Sequence, residues 1–356
     1  MEQEASLEHA RILVVRLSAI GDVLHATTVV HNLKLHYPNS HVTWLVSPPA
    51  DCLLEGNPDV DRLLVWDRRR LDRAFADMDL RTVWNSLREA SRLLSSYTFD
   101  LVLDIQGLFL TGILSCFSHA PRRIGIHERH EGNFLFMTEM APPTEERHKI
   151  RRYMSVLRPL GIDGLRPGPV LKIPASLDGF AERFWREHQV DMSRPILLVN
   201  IRTTWPDKNW PPERFGQVLN GISEDVQVVF CGSAGDQCYV ETAQNRMERS
   251  SISIAGETGL MELAALFRSA TLLLTGDTGP LYIAEAVGLR TLSLWGPTHP
   301  EIYGPLTRGH EFILTPHGCH SCCKTKCRHR TNACMRAIQP EAVTAKLREI
   351  ISRRPS

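Results

Sequence analysis

The sequence lacks any run approaching the ~18 consecutive apolar residues that cross a bilayer. It also lacks an excess of either charge: 41 Lys plus Arg against 40 Asp plus Glu leave a formal +1. A globally basic nucleic-acid binder carries more, so no nucleic-acid partner is expected. Low-complexity tracts and fixed-period repeats are absent, and the composition, 43% hydrophobic and 23% charged, is that of a globular chain. The opening residues Met1-Glu2-Gln3-Glu4 are acidic and no apolar core follows them, so no secretory signal is read. A cytoplasmic protein is expected. Its nine Cys are then expected as free thiols or metal ligands rather than disulfides.

Several motifs are missing too. No G-x-G-x-x-G follows the first strand, which disfavours a dinucleotide enzyme, and there is no Walker A. No G-x-S-x-G elbow or H-E-x-x-H occurs. Two D-x-D triplets, Asp59-Val60-Asp61 and Asp77-Met78-Asp79, could hold a divalent metal against a diphosphate, but so short a motif has little specificity.

What is present is alternation. Ile12-Leu13-Val14-Val15 reads as a buried strand, and Gly21 to His36 follows with helical spacing up to Pro38. His41–Val46, Arg62–Trp66 and Phe99–Ile105 read as strands, and Val83 to Leu94 as a helix. Gly161 to Pro174 holds three Gly and three Pro and reads as a linker. The alternation then restarts, with strands expected at 196–199, 226–230, 252–255, 272–274 and 291–294. At 356 residues the chain has the length for two domains. Two α/β, doubly wound parallel-sheet halves are predicted, with ligands at the carboxyl ends of the strands in the cleft between them.

Three strand-to-helix segments carry chemistry. Arg16 to His25 places Gly21 and Asp22 near a helix start, where Asp22 is either a functional carboxylate or a simple cap. Thr203 to Pro212 brings two hydroxyls, Thr203 and Thr204, together with Lys208, a set suited to phosphate. Thr275-Gly276-Asp277-Thr278-Gly279-Pro280 puts two glycines before a helix, where backbone N–H groups can approach an anion.

Together these segments resemble the ADP-heptose:lipopolysaccharide heptosyltransferases, glycosyltransferase family 9. The resemblance also takes in Asp104 to Gly107, Arg123 to Gly125, His148 to Tyr153 and Leu294 to Thr298. It implies the GT-B fold, with two Rossmann-like domains facing across a cleft. The expected division is 1–165 for the acceptor-side domain, 166–175 for a linker and 176–338 for the nucleotide-sugar domain. The tail 339–356 is expected as a helix returning to the N-terminal domain.

The resemblance implies an inverting, metal-independent transferase. Asp22 matches the family's general base. Thr203, Thr204 and Lys208 match donor-phosphate contacts, and Asp277, Thr278 and Gly279 its D-T-G loop. Asp236 is the candidate for the ribose-binding acid. Arg16, Ser18, Gly21, His25, Gln106 and His148 are the acceptor-side candidates. The implied partners are ADP-heptose and a lipid-linked saccharide at the inner membrane face, where the enzyme would sit peripherally. Many members carry His three residues after the D-T-G glycine, whereas this chain has Tyr282. The chemistry is independently sensible. A departing diphosphate needs positive charge, which Lys208 and a helix N-terminus supply, and an acceptor hydroxyl needs a base.

Cys319, Cys322, Cys323, Cys327 and Cys334 cluster among His317, His320 and His329. Their spacing is compatible with structural zinc, although the paired C-x-x-C knuckles are absent, and a thiol cluster ordering a loop is the alternative. Two further functional readings stand beside the heptosyltransferase: the same fold with another nucleotide sugar, and a nucleotide-sugar binding protein without turnover. Retention of both Asp22 and Lys208 disfavours the last, because binding alone needs no base.

Overall fold

A computed structural model describes residues 7–127, 131–164, 166–316, 318, 322–324, 326–328 and 331–353. The chain divides into two compact units, Met1–Lys172 and Ile173–Ser356, so the division falls inside the Gly- and Pro-rich stretch.

The first unit holds strands β1 (Arg11–Val15), β2 (His41–Val46), β3 (Arg62–Val65), β4 (Leu101–Asp104), β5 (Arg122–Gly125) and β6 (Glu139–Met140). Their order is β3-β2-β1-β4-β5-β6, and the pairings are parallel. The second unit holds β7 (Ile196–Asn200), β8 (Gln227–Cys231), β9 (Ile252–Ser253), β10 (Leu272–Gly276), β11 (Thr291–Trp295) and β12 (His310–Leu314). Its order, β12-β11-β10-β7-β8-β9, is the same doubly wound topology. Each sheet therefore reverses direction between its first and fourth strands, where such folds open a crevice for ligand.

Helices cover both faces, which is why the central strands read as unbroken apolar runs. Ile12 and Val14 face a core built with Val23, Ala26 and Val30 of the helix Ile20–His36. Leu13 and Val15 face the opposite core, with Leu71, Ala90 and Leu94. The strands without a sequence signal have no such run. β5 begins with two arginines, β6 is two residues long, and β12 is a half-exposed edge strand.

The helix Pro340–Ser352 corrects one expectation. Its stripe Val343, Leu347 and Ile350 is buried in the second unit's own core with Phe215, Val218 and Leu219, not on the first domain. Trp210 Nε1 donates to the Ile338 carbonyl at 3.1 Å, and Arg348 Nε to the Gly221 carbonyl at 2.7 Å. Spacing of i, i+4, i+7 shows that one face is apolar; it does not say which core the face enters.

Candidate active site

In the first unit the loops after β1 and β4 meet at the switch point. The Leu17 amide donates to Gln106 Oε1 at 2.7 Å, and Arg16 Nη1 to the Ile105 carbonyl at 3.3 Å. Buried Asp104 holds the second loop in shape, accepting from the amides of Gln106 and Gly107 and from the Thr111 hydroxyl. Burial raises the pKa of Asp104 despite those bonds. Gln106 thus fixes the backbone beside Arg16, while Ser18, in the turn that follows, and Gly21, in the first turn of the helix Ile20–His36, are half-buried.

Asp22 is not the helix cap. The N-cap is Ala19, which makes no side-chain capping bond, and Asp22 lies in the first turn, three residues on. Its Oδ2 meets Arg16 Nη2 at 2.6 Å, and its Oδ1 meets Lys149 Nζ at 2.9 Å. The Tyr153 hydroxyl donates to Oδ1 at 2.9 Å. Burial pushes the carboxyl upward, but Arg16 and Lys149, with His25 nearby, overcome it and hold Asp22 well below the usual carboxylate range. Arg16 is itself buried and lies over the Tyr153 ring.

Lys149 and Tyr153 come from the short helix Lys149–Met154. His148 caps that helix, its Nδ1 accepting from the Ile150 amide at 3.2 Å. Buried His25 stands 6.3 Å from His148, ring centre to ring centre. The acceptor-side candidates therefore gather around one fixed anion. Lys149 and Tyr153, its direct partners, received no role from the sequence because nothing local marks a contact spanning some 130 residues.

The second unit repeats the arrangement after β7 and β10. Lys208 Nζ donates to Asp277 Oδ2 at 2.6 Å and stands 4.1 Å from the Trp205 ring centre. The Tyr282 hydroxyl donates to Asp277 Oδ1 at 2.6 Å, and the Thr298 hydroxyl to Oδ2 at 2.7 Å. With three donors on one buried carboxylate, Asp277 positions Lys208 rather than offering its own oxygens. Tyr282, the departure from the family pattern, supplies one of them.

Thr278 is the N-cap of the helix Gly279–Val287, and its side chain makes no capping bond. The loop's backbone N–H groups thus carry the anion-binding character there. The Thr203 hydroxyl donates to the Trp205 carbonyl at 2.9 Å and its amide to Asn209 Oδ1 at 2.7 Å, whereas Thr204 is exposed. At Gly276 an added Cβ would lie 2.8 Å from Thr203 Cγ2, so only glycine lets the two loops come this close. Asp236 is spent locally: its Oδ2 accepts from the Ser233 amide and hydroxyl, and its Oδ1 pairs with Arg202 at 3.0 Å.

Tyr282→Phe removes one donor and leaves Lys208 and Thr298 in place. It should cost about 1–3 kcal/mol of stability, the range for a buried acceptor losing its partner. ADP affinity should change far less than on loss of Lys208. Thermal melts and calorimetry check both. An unchanged melt would mean that water replaces the phenol.

The D-x-D triplets do not act as pairs. Asp59 bonds His31 and Asp61 pairs with Lys34, while Asp79 caps the helix Leu80–Ser95. Cys322 and Cys323 are exposed, Cys334 is buried in the hydrophobic core, and the Cys327 amide donates to Asp207. Among the described residues no three His, Cys, Asp or Glu converge as metal ligands. Cys319, His317, His320 and His329 lie outside the described residues.

A sequence profile described as glycosyltransferase family 9 (heptosyltransferase) matches residues 87–332. Lipopolysaccharide core heptosyltransferase OpsX of Haemophilus influenzae is 28% identical over 269 residues, 74% of this chain and 72% of that protein. A solved glycosyl transferase family 9 protein of Veillonella parvula superposes with a TM-score of 0.80 at 25% identity, covering 97% of this chain and 98% of that one. The E. coli heptosyltransferase WaaC with ADP shares the fold, with a TM-score of 0.74 at 17% identity over 96% and 99% of the two chains.

Proposed function

The chain belongs to glycosyltransferase family 9, and on that premise we propose that it transfers heptose from ADP-heptose to the inner core of a lipid-linked lipopolysaccharide precursor. The observation that carries the sugar is the match to the OpsX relative across three quarters of the chain. Mass spectrometry of a truncated lipopolysaccharide acceptor incubated with ADP-heptose tests it, the expected product being heavier by one heptose. Thermal shifts with UDP- and GDP-sugars as further arms reveal a different donor.

In this reading the acceptor oxygen attacks the anomeric carbon as the bond to the diphosphate breaks, and the configuration inverts. ADP leaves with the bonding electron pair. Lys208 and the N-terminus of the helix Gly279–Val287 receive its charge, so no divalent cation is called for. The acceptor proton passes to Asp22. A carboxylate held this low is a weak base, so the transfer falls late, once the new bond has made the oxygen an acidic oxonium. Arg16 and Lys149 keep Asp22 ionised and oriented until then. A single displacement needs no enzyme nucleophile, and none is assigned. Peripheral placement at the inner membrane face follows from the lipid-linked acceptor.

The two cations give this role a pH signature. With Asp22 depressed, the native enzyme should show no loss of kcat/KM from this group above the ordinary carboxylate pKa of ~3.9. Lys149→Met removes one of the two charges that lower it, so the Asp22 pKa rises. The acid limb should then move up toward the ordinary range, with activity falling as pH drops through it. A pH–rate profile of both proteins, with melts at each pH, checks this. An acid limb unmoved in a folded Lys149→Met would exclude Asp22 as the titrating base.

A further inference from the structure

The outer face of the helix Leu80–Ser95 runs against the usual pattern. Its inner stripe Val83, Ala90 and Leu94 is buried, as an amphipathic helix requires. Its outer positions at successive turns are Leu80, Trp84, Arg88 and Arg92, with Leu80 75% and Trp84 67% exposed. The end of the preceding helix Arg68–Ala76 adds Phe75 at 57%, and the turn between the helices adds Met78 at 83%, with φ of 53°. Glycine or asparagine is the cheaper residue in that left-handed conformation, yet a long apolar side chain stands there in solvent.

Arg88 and Arg92 line a shallow depression with Asn85 and Glu89. Four of the acidic neighbours are occupied elsewhere, while Asp77, beside Met78, is exposed. Asp67 and Asp79 cap helices, Asp72 pairs with Arg68, and Glu89 reaches Arg70 at 3.5 Å. Arg88 and Arg92 have no carboxylate partner among the described residues.

We propose that this face is a docking surface for an anionic lipid bilayer, with Phe75, Met78, Leu80 and Trp84 entering the headgroup region and Arg88 and Arg92 taking lipid phosphate. Two exposed apolar turns, Leu80 and Trp84, followed along the same row by Arg88 and Arg92, match the interfacial pattern, with indole at headgroup depth. The guanidinium pair of Arg88 and Arg92, without a carboxylate partner among the described residues, complements an anionic leaflet. The choice of a bilayer rests on the reading that the acceptor is carried in a membrane.

The test is co-sedimentation of the full chain with phosphatidylglycerol-containing vesicles against pure phosphatidylcholine vesicles. The native chain should partition at least tenfold more strongly to the anionic vesicles. Met78→Ser with Trp84→Ser should weaken that binding at least tenfold. Arg88→Glu with Arg92→Glu should abolish the preference for anionic lipid. ADP affinity, and transfer to a deacylated soluble core acceptor, should stay unchanged in both variants and show that they fold. No binding to anionic vesicles, or binding that neither variant alters, overturns the proposal. So does lipid-free self-association that the Trp84 variant abolishes, since a second copy would then own the face. Failure of the native chain to transfer to the soluble acceptor, with vesicle binding intact, strikes the functional reading and leaves this one standing.

Discussion

Asp22→Asn is expected to leave an enzyme that binds donor and transfers almost nothing. Turnover should fall by roughly 10²–10⁴-fold, the contribution of a positioned base. The amide keeps the shape of the carboxylate and can still accept from Tyr153, but it cannot take the acceptor proton. The geometry adds a stability cost that a helix cap would not carry. Arg16 is buried, and its contact with Asp22 is a 2.6 Å ion pair. Neutralising the carboxylate leaves that guanidinium unpaired, a loss of about 3–5 kcal/mol. The variant must therefore be assayed well below its own melting temperature. ADP affinity, which the proposed donor site assigns to the other unit, is the control and should remain native. If Asp22→Asn keeps most of its turnover on a competent acceptor, the base lies elsewhere.

Lys208→Ala should be the strongest lesion on the donor side. A charge-assisted hydrogen bond contributes ~1.5–3 kcal/mol, which is about ten- to hundredfold in ADP Kd. The substitution also strips Asp277 of its cation while Tyr282 and Thr298 still hold the carboxylate in place. A buried negative charge then faces the incoming diphosphate, so the loss should reach the upper end of that range. Turnover should fall as well, because the departing charge loses its fixed counter-charge. Calorimetry with ADP reads the first effect and saturating-donor kinetics the second. Native ADP affinity in Lys208→Ala would remove the residue from the site.

The strand cores and the motif loops were legible because both are local. Ile12–Val15 and Ile196–Val199 announce buried strands by their own composition, and glycine beside Asp22 or Asp277 marks a strand-to-helix turn. The partners of those carboxylates were not legible. Lys149 and Tyr153 lie some 130 residues from Asp22, and Thr298 lies 21 residues from Asp277. Only the fold brings them together: the helix Lys149–Met154 packs on the helix Ile20–His36, and Asp277 and Thr298 follow the adjacent strands β10 and β11. Asp22 shows the same limit from the other side. Its position near a helix start permits a cap, and of the two ion pairs that assign it otherwise one, to Lys149, comes from a distant helix. The destination of the helix Pro340–Ser352 was hidden for the same reason.

That helix also sets the order in which the second unit can form. Trp210 and Ile338 are bonded across 128 residues, and Phe215, Val218 and Leu219 await Val343, Leu347 and Ile350. Contacts this distant in sequence slow folding, because loop closure precedes any gain from them. At ribosomal speed the interval between the two segments lasts on the order of ten seconds. Through that interval a greasy helix face stands open on the nascent chain, a hold for chaperones and a seed for aggregation that the finished fold no longer displays.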